Sequence, residues 1–551
     1  MIRANVPRLI AAGRLDEAAD ACLRILQAAP RDPATMRLLA LVREQQKRPD
    51  AAAYLLTALA ATRPDDPDIL GDLARVRLAV GDAADALEIV DRALKIGGGN
   101  ATILLLLRGE ALRQIGDLAG AATALREAAS REPDNKTIQC ALAATLGGEG
   151  ELDEAEAIFD TVLASAPDEV EAWNGLGAVY TRRCDAAGAL QFFMRAHSLA
   201  ATNADALYGV GAALMGLNRA EEAADWFRRA NTAGHGKQSK MTEGLARLVL
   251  GDLPGGFLCY EARLDIPELT TLAPRHRGLR RWHGEDLAGR TILLVGEQGL
   301  GDAVQFCRYA PMAAELGARV VLEAAVPVVT LLETLDGVAE IVQAGAKLPE
   351  VDYYCPLVSL PLEFGTTLET IPAEVPYLAP TEDRVSHMRR RIGDAARPRV
   401  GIAWSGNPKF FNDRQRSMPL ERLEPLCAAA GSLHVLQKDV RDADRAVLET
   451  WPEVFDHSES IVDLAGTAAL AALMDVVVSV DTVVAHVAGA IARPVWLMLP
   501  FAPDWRWLLT REDSPWYPTA RLFRQHLAGE WDDVVERVAL AVRSLPTKLR
   551  P

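Results

Sequence analysis

One turn recurs through the first half of the sequence at almost constant intervals. Aligned on that turn, the segments AGRLDEA at Gly13, QKRPDAA at Lys47, VGDAADA at Gly81, IGDLAGA at Gly116, EGELDEA at Gly150, RCDAAGA at Cys184 and LNRAEEA at Asn218 follow one another at spacings of 34, 34, 35, 34, 34 and 34 residues. A second series of breaks, Pro30, Pro64, Gly98, Pro133 and Pro167, falls between them. Each unit therefore reads as two helices joined by a turn. A single helix pair cannot bury its own apolar face, so the units must stack on one another into a solenoid. The extra residue lies in the Gly97-Gly98-Gly99 stretch, where a loop tolerates it.

The unit at 170–203 fixes the pattern position by position. Trp173, Leu176, Gly177 and Tyr180 fall on its first helix, and Ala189, Phe193 and Ala196 on its second. Small residues at 177 and 189 let the two helices approach, while Trp173, Tyr180 and Phe193 fill the space between neighbours. The next unit repeats this with Leu207, Gly211, Leu214, Ala223, Phe227 and Ala230. A 34-residue period with these positions is the signature of tetratricopeptide repeats. We assign residues 1–235 to this α solenoid, whose concave face is expected to hold a polypeptide. The alternative is an array that only supports the second half or self-associates. Residues 236–289 read as a degenerate last repeat, closed by Phe257 and Tyr260, and a connector with Pro267, Pro274 and several arginines. His276, His283 and those arginines are expected on a solvated surface.

The charge balance narrows the partners. A net charge of −16 offers no basic field for nucleic acid. The cysteines at 22, 140, 184, 259, 307, 355 and 427 are scattered, odd in number and without a C-x-x-C pair, which fits a reducing compartment and argues against a zinc site or disulfide framework. The chain enters an amphipathic helix at once, with Asp16, Glu17 and Asp20 close behind, and no long uncharged apolar run follows. These features predict no cleavable leader, no membrane span and a cytoplasmic location.

From Arg290 the period changes. Strand TILLV (291–295), loop GEQGLGD (296–302), a helix over 303–317, strand ARVVLEA, a helix and strand AEIVQA alternate as βαβαβ, which predicts a parallel sheet covered by helices. The pattern fades near Leu378 and restarts with RVGIAW (399–404). Helix 420–430, strand LHVLQ (433–437), helices 442–450 and 460–473, strand VVVS, strand PVWLML, the short strand RLFRQ and a closing helix follow. Two Rossmann-like lobes result, 290–385 and 386–551. Ligands of such sheets bind at the carboxyl ends of the strands. Four segments lie there: GEQGLGD, SGNPKFFNDRQRS, Gln437-Lys438 and the turn Asp481-Thr482. The last sits in VVVSVDTVVAHVAGA (476–490), a strand, a polar turn and a helix N-terminus, which suits a phosphate. Thr482 and His486 share one face of that helix. In isolation the same stretch also fits an ordinary turn with a capping Asp and a packed His. Trp505, Trp507 and Trp516, beside Pro503 and Pro515, read as a packed corner, and His434 as structural.

The blocks GEQGLGDAVQFCRYAP, GIAWSGNPKFFNDRQRSMPL, DLAGTAAL, VVSVDTVVAHVAGA and PDWRW…DSPWYP together resemble bacterial tetratricopeptide-repeat glycosyltransferases, whose catalytic half is related to the lipopolysaccharide heptosyltransferases and the protein O-GlcNAc transferases. The resemblance runs from about 240 to 545. It implies an α solenoid followed by an α/β GT-B fold with two Rossmann-like lobes, a metal-independent inverting glycosyltransferase, and a CMP-, UDP- or GDP-linked sugar as co-substrate without a further cofactor. Carried onto this chain, it makes Asp481, Thr482 and His486 contacts to the donor phosphate and sugar, Ser405, Asn407 and Arg416 the phosphate-contacting loop, and Gln437 and Lys438 contacts to base or ribose. Relatives carry Gly after Asp-Thr, where this chain has Val483, and Lys where it has Arg416. Asp302 occupies the position of the catalytic carboxylate. The residues themselves leave it open whether Asp302 is a base, the cap of the following helix, or both. Gly299 and Gly301 would let backbone approach the substrate.

The resulting expectation is transfer of a sugar to Ser or Thr of a protein acceptor held by the repeats. The leading specific case is flagellin with a nonulosonic, sialic-acid-like sugar. A glycan or lipid-linked acceptor, and a repeat scaffold with an inactive second half, are the alternatives.

Overall fold

The computed structural model describes residues 2–546 apart from 268, 270, 271, 277, 409, 411 and 452. Arg277, one of the connector arginines, lies outside the described residues. Contacts divide the chain into two compact units, Met1–Ala201 and Thr202–Pro551.

Among the described residues, sixteen α-helices, from Ile2–Ala11 to Leu253–Tyr260, precede the first strand. Their punctuation follows from the aligned turns. Gly13, Lys47, Gly81, Gly116, Gly150, Cys184 and Asn218 all adopt positive φ, and Gly251 continues the series. These are the residues that stop one helix and turn the chain into the next. Where the position is Lys, Cys or Asn, an L-residue accepts a conformation that Gly takes freely. Several helices of the array begin on side-chain caps: Asp32 accepts from Thr35 N at 3.0 Å, Asp117 from Gly120 N at 2.9 Å and Asn203 from Ala206 N at 2.8 Å.

Within Met1–Ala201 the small residues behave as expected. A Cβ on Gly177 would come within 2.6 Å of the Phe193 ring, and one on Gly109 within 2.6 Å of Leu125. Trp173 is only half-buried and donates its indole N–H to Pro167 O at 2.9 Å. Phe192, between Trp173 and Tyr180, completes that aromatic contact.

The unit Thr202–Pro551 contains the last helices of the array and two parallel sheets. The helices Ala204–Gly216, Ala220–Thr232, Lys237–Val249 and Leu253–Tyr260 share a core with the first sheet, so the expected boundary at 235 does not separate packing units. Phe257 meets the rings of Phe306 and Trp505 edge-on, and Tyr260 bonds Gln298. These aromatics join the array to the sheets.

The first sheet has strands β1 Thr291–Val295, β2 Arg319–Ala324, β3 Val338–Gln343 and β4 Tyr353–Pro356, in the order β3-β2-β1-β4. The second has β5 Arg399–Ala403, β6 Ser432–Val435, β7 Val454–Asp456, β8 Val476–Val480, β9 Val495–Leu499 and β10 Ala520–Arg524, in the order β10-β9-β8-β5-β6-β7. Every named pair is parallel. β8 is buried along its whole length, as the centre of a sheet covered on both faces requires. In the second sheet the chain builds outward from β5 on one side and then restarts with β8 on the other. The crevice between the carboxyl ends of β5 and β8 is thus a topological switch point, and β1 and β4 form one in the first sheet.

Four expectations need correcting. The helix drawn over 303–317 is broken into Leu300–Phe306, a 3-10 turn and Ala310–Glu315, with Pro311 starting the second piece. Helix 420–430 is a 3-10 turn at Leu420–Leu423 and one α-turn at Glu424–Cys427, interrupted by Pro425. A lobe boundary at 385/386 would cut helix Glu382–Ile392, which buries Val385, Met388 and Ile392 and holds Asp463 bidentately through Arg384 at 2.8 and 2.9 Å. His276 is not on a solvated surface: it is 2% exposed and bonds Glu323 through Nε2 at 2.7 Å. His283 does remain exposed, beside Glu363 at 3.1 Å.

Candidate functional site

The loop after β1 is held from behind. Arg263, almost fully buried, pairs with the equally buried Glu297, with Glu261 Oε1 at 2.6 Å, and donates to Ser359 Oγ at 2.8 Å. Glu261 in turn pairs with Arg281. The next residue, Gln298, takes positive φ (61°) and bonds the Tyr260 hydroxyl. A non-glycine residue in that region marks backbone held by its surroundings. The loop then delivers Gly299, Gly301 and Asp302 to the start of helix Leu300–Phe306. Asp302 accepts the Gly299 N–H through Oδ2 at 2.8 Å, so it does cap this helix. Its other oxygen, Oδ1, pairs with Arg506.

Arg506 comes from the second lobe, in the segment after β9. It also bonds Asp504 Oδ1 at 2.8 Å and Gln305 Oε1 at 2.6 Å, and lies 4.4 Å over the Trp505 ring. Burial pulls this guanidinium down, but Asp504 and Asp302 outweigh it and raise its pKa, so it stays charged. Trp505, Trp507 and Trp516 are all buried, forming the packed corner that the sequence implied.

The turn after β8 faces this group. Helix Val483–Ala490 packs on helix Leu300–Phe306, and a Cβ on Gly301 would stand 3.0 Å from His486 Cδ2. Gly301 thus permits the close approach of the two lobes. His486 bonds the Tyr517 hydroxyl through Nδ1 at 2.9 Å, while Nε2 stands 4.0 Å from Asp481 Oδ1. Burial, then the cations Arg506, Arg308 and Arg416, hold this imidazole well below its ordinary range, so it is neutral at pH 7. Burial and Asp504 push the Asp481 carboxyl up to about 6, against the pull of Arg506 and Arg416. Thr482 begins the helix with no side-chain cap bond and meets Ser479 Oγ at 3.2 Å. Val483 is half-buried against the core.

The loop after β5 reaches the same crevice. Arg416 donates to the Asp481 carbonyl at 2.9 Å, lies 3.5 Å from Asp413 and covers the Phe410 ring at 4.5 Å. Asp413 is the anchor of this loop: it accepts from Ser417 Oγ at 2.7 Å and Arg441 Nη2 at 2.5 Å. Gln437 accepts the Trp404 and Ser405 N–H groups at 3.1 and 3.0 Å and donates to Ser405 Oγ at 2.7 Å. Its amide therefore shapes the loop from beneath. Ser405 is buried, and Asn407 lies on the exposed part of the loop. Lys438 is exposed at the carboxyl end of β6 and donates to Val462 O at 2.7 Å.

Asp302, Gly301, Arg416, Asp481 and His486 thus converge through direct contacts or the shared partner Arg506, and Thr482 adjoins them. Ser405 and Gln437 stand behind the loop, and Lys438 has no side-chain contact to this group. Arg506, Asp504, Gln305, Asp413 and Tyr517 do not stand out in the sequence. Asp504, Arg506 and Tyr517 lie in the PDWRW…DSPWYP segment, whose tryptophans overshadow them, and Gln305 and Asp413 lie in the blocks after β1 and β5 without standing out there. Among the described residues, no group of three or more His, Cys, Asp or Glu side chains could hold a metal ion, and no helix is long and apolar enough to cross a membrane.

Comparison with known proteins places the start of the chain in a recognised class. Tetratricopeptide repeat families match residues 4–67, 43–108 and 112–179. The protein thus carries an N-terminal tetratricopeptide-repeat array followed by a region of parallel sheets and helices. It is similar to Protein FlbA of Caulobacter vibrioides (strain ATCC 19089 / CIP 103742 / CB 15), at 29% identity over 425 residues, 71% of this chain and 70% of that protein. It is also similar to Cellulose synthase operon protein C of Pseudomonas fluorescens (strain SBW25), at 29% identity over 172 residues, which are 29% of this chain and 13% of that protein. Among solved structures, a tetratricopeptide repeat protein from Parabacteroides merdae covers 44% of this chain and 97% of its own length, at 18% identity and a TM-score of 0.41.

Proposed function

We propose that the protein is a glycosyltransferase that moves a sugar from a nucleotide-sugar to a hydroxyl of a protein acceptor held by the repeats. One observation carries this reading. At the carboxyl ends of two parallel sheets, a carboxylate from one lobe (Asp302) and a helix N-terminus with Arg416 and a neutral His486 from the other come together around Arg506. In the proposed reaction the acceptor oxygen attacks the anomeric carbon from the Asp302 side. Its proton passes to the carboxylate as the bond to the leaving phosphate oxygen breaks. The charge left on the nucleotide phosphate is met by the free N–H groups at Val483–Ala490, by Arg416 and by an N–H of His486. Asp302 is fixed for this by the Gly299 N–H and Arg506, each of which leaves a lone pair on its oxygen. The family resemblance makes flagellin with a nonulosonic sugar the leading specific acceptor and donor.

Calorimetric titration with CMP-, UDP-, GDP- and ADP-linked sugars tests the reading. Saturable binding of one of them is expected. No heat with any would leave a repeat scaffold with an inactive second half.

A further inference from the structure

Behind His486 lies a buried cation that the proposed chemistry does not use. Arg308, in the 3-10 turn Cys307–Tyr309, is 4% exposed, and no carboxylate among the described residues pairs with it. Its guanidinium instead donates to four oxygens: Gln305 O at 2.8 Å, Pro372 O at 3.1 Å, Trp516 O at 2.7 Å and the Tyr377 hydroxyl at 2.8 Å. It also lies 4.5 Å from the Tyr377 ring centroid and 4.7 Å from that of Tyr517. One side chain thus ties the first lobe, the segment between the lobes and the corner of the second lobe together. A buried cation satisfied only by neutral oxygens and ring faces is costly, so its retention calls for a role.

The contacts define that role. Tyr517 is fully buried, and helix Val483–Ala490 fits against it so closely that any side chain on Gly489 would overlap its ring. The Tyr517 hydroxyl bonds His486 Nδ1 at 2.9 Å. A buried hydroxyl must place its proton on an acceptor. The neighbouring Tyr377 hydroxyl is already committed: it accepts from Arg308 and donates to Val304 O at 3.0 Å. With the Tyr377 oxygen taken by Arg308 and its proton on Val304 O, the Tyr517 proton goes to the partner its hydroxyl is bonded to, His486 Nδ1. An imidazole that accepts at Nδ1 carries its proton on Nε2. Nε2 is the nitrogen facing Asp481 at 4.0 Å and the position beside Gly301.

We propose that Arg308 and Tyr517 are positioning residues that fix His486 as the Nε2–H tautomer, so that it meets its ligand as a neutral hydrogen-bond donor and not as a base. The assignment of that ligand as a nucleotide phosphate or sugar oxygen rests on the proposed glycosyltransferase reading. The tautomer itself does not.

The experiment is histidine ring NMR on the full chain labelled with 15N at histidine, with His486→Gln identifying the signal by its loss. In the wild-type chain at pH 7, the His486 Nε2 is expected to appear protonated and Nδ1 as an acceptor. Tyr517→Phe, and independently Arg308→Met, should raise the Nδ1–H population several-fold, with the thermal transition showing that each variant is folded. A wild-type His486 protonated at Nδ1 overturns the proposal without any variant, and so does an unchanged tautomer in folded Tyr517→Phe. Titration of the same chains with CMP, UDP, GDP and ADP separates the two claims. The expected tautomer without nucleotide binding leaves the positioning role standing and sinks the transferase reading. Nucleotide binding with the wrong tautomer does the reverse.

Discussion

Replacing Arg263 by Leu should destabilise the unit Thr202–Pro551 by several kcal/mol, and replacing Glu297 as well should restore most of it. The Arg263 and Glu297 side chains are each 1% exposed. The guanidinium reaches both Glu297 oxygens, Glu261 Oε1 at 2.6 Å and Ser359 Oγ at 2.8 Å. Without it, Glu297 keeps a buried carboxylate with no counter-charge, whereas Glu261 retains Arg281. Breaking a buried pair from one side costs about 3–5 kcal/mol, and replacing both partners by apolar side chains is often close to neutral. The readout is urea unfolding followed by tryptophan fluorescence, which reports this unit because every tryptophan except Trp173 lies within it. With a slope of about 2–3 kcal/mol per molar urea, the single variant's midpoint should fall by roughly 1–2.5 M. Arg263→Leu with Glu297→Leu should recover at least half of that shift. A single variant that loses under about 1 kcal/mol, or a double variant no more stable than the single, would show that the charges are not buried as a pair. The same contact orders the loop that carries Asp302, so the stability change should be accompanied by weaker nucleotide-sugar binding.

Three further outcomes are expected. Asp302→Asn keeps an oxygen for the Gly299 N–H but removes the base, so turnover should fall by about 10²–10⁴-fold with donor binding retained; turnover like the wild type in a steady-state assay would refute the base role. His434 and His457, bonded at 3.1 Å, are pushed down to about 3 and about 4: His434 by burial, then His457 and Arg399, and His457 by burial, then Arg391, against the pull of Asp456. The unfolded chain takes up these protons near pH 6.5 while the folded one does not. Their contribution is therefore complete above that pH and is lost as pH falls toward 4, at about 1.4 kcal/mol per pH unit for each ring. His457→Gln should flatten the stability profile between pH 6 and 4, and an unchanged slope in urea titrations would remove the pair from the acid response. Deleting residues 1–201 should leave a folded chain that binds nucleotide-sugar yet no longer modifies a protein acceptor; protein modification that survives the deletion, read by mass spectrometry, would show that the repeats do not hold the acceptor.

Periodicity alone makes the helical array legible, down to single residues. The aligned turn position takes positive φ in every repeat, even where it is Lys47, Cys184 or Asn218. The reason is that a repeat's sequence encodes local geometry and nearest-neighbour packing, and both recur. The sheets are legible only where strands are long apolar runs. β8 and β1 stand out, whereas β4 (Tyr353–Pro356) and β7 (Val454–Asp456) do not, because each is short and acquires its strand character only by pairing with a neighbour far away in sequence. Helix ends set by proline inside a run, at Pro311 and Pro425, also pass for continuous helix when only the apolar spacing is followed.

The site is legible in proportion to how local its chemistry is. The turn Asp481-Thr482 and the GEQGLGD loop gather their candidate residues in adjacent positions, so both can be found. Arg506 cannot, since its meaning lies in partners more than 200 positions away: Asp302 and Gln305 on the other lobe. Long-range ion pairs leave no spacing to read. The same holds for Tyr517, which looks like one aromatic among several until its hydroxyl is found on His486 Nδ1. Val483, by contrast, is visible as a departure from relatives, and its half-buried packing limits what it can mean. Its side chain packs partly against the core. Under the proposed reading, a phosphate at the start of Val483–Ala490 would be met by Arg416 and Arg506, the two cations beside Asp481, and would not need the absence of a Cβ at 483.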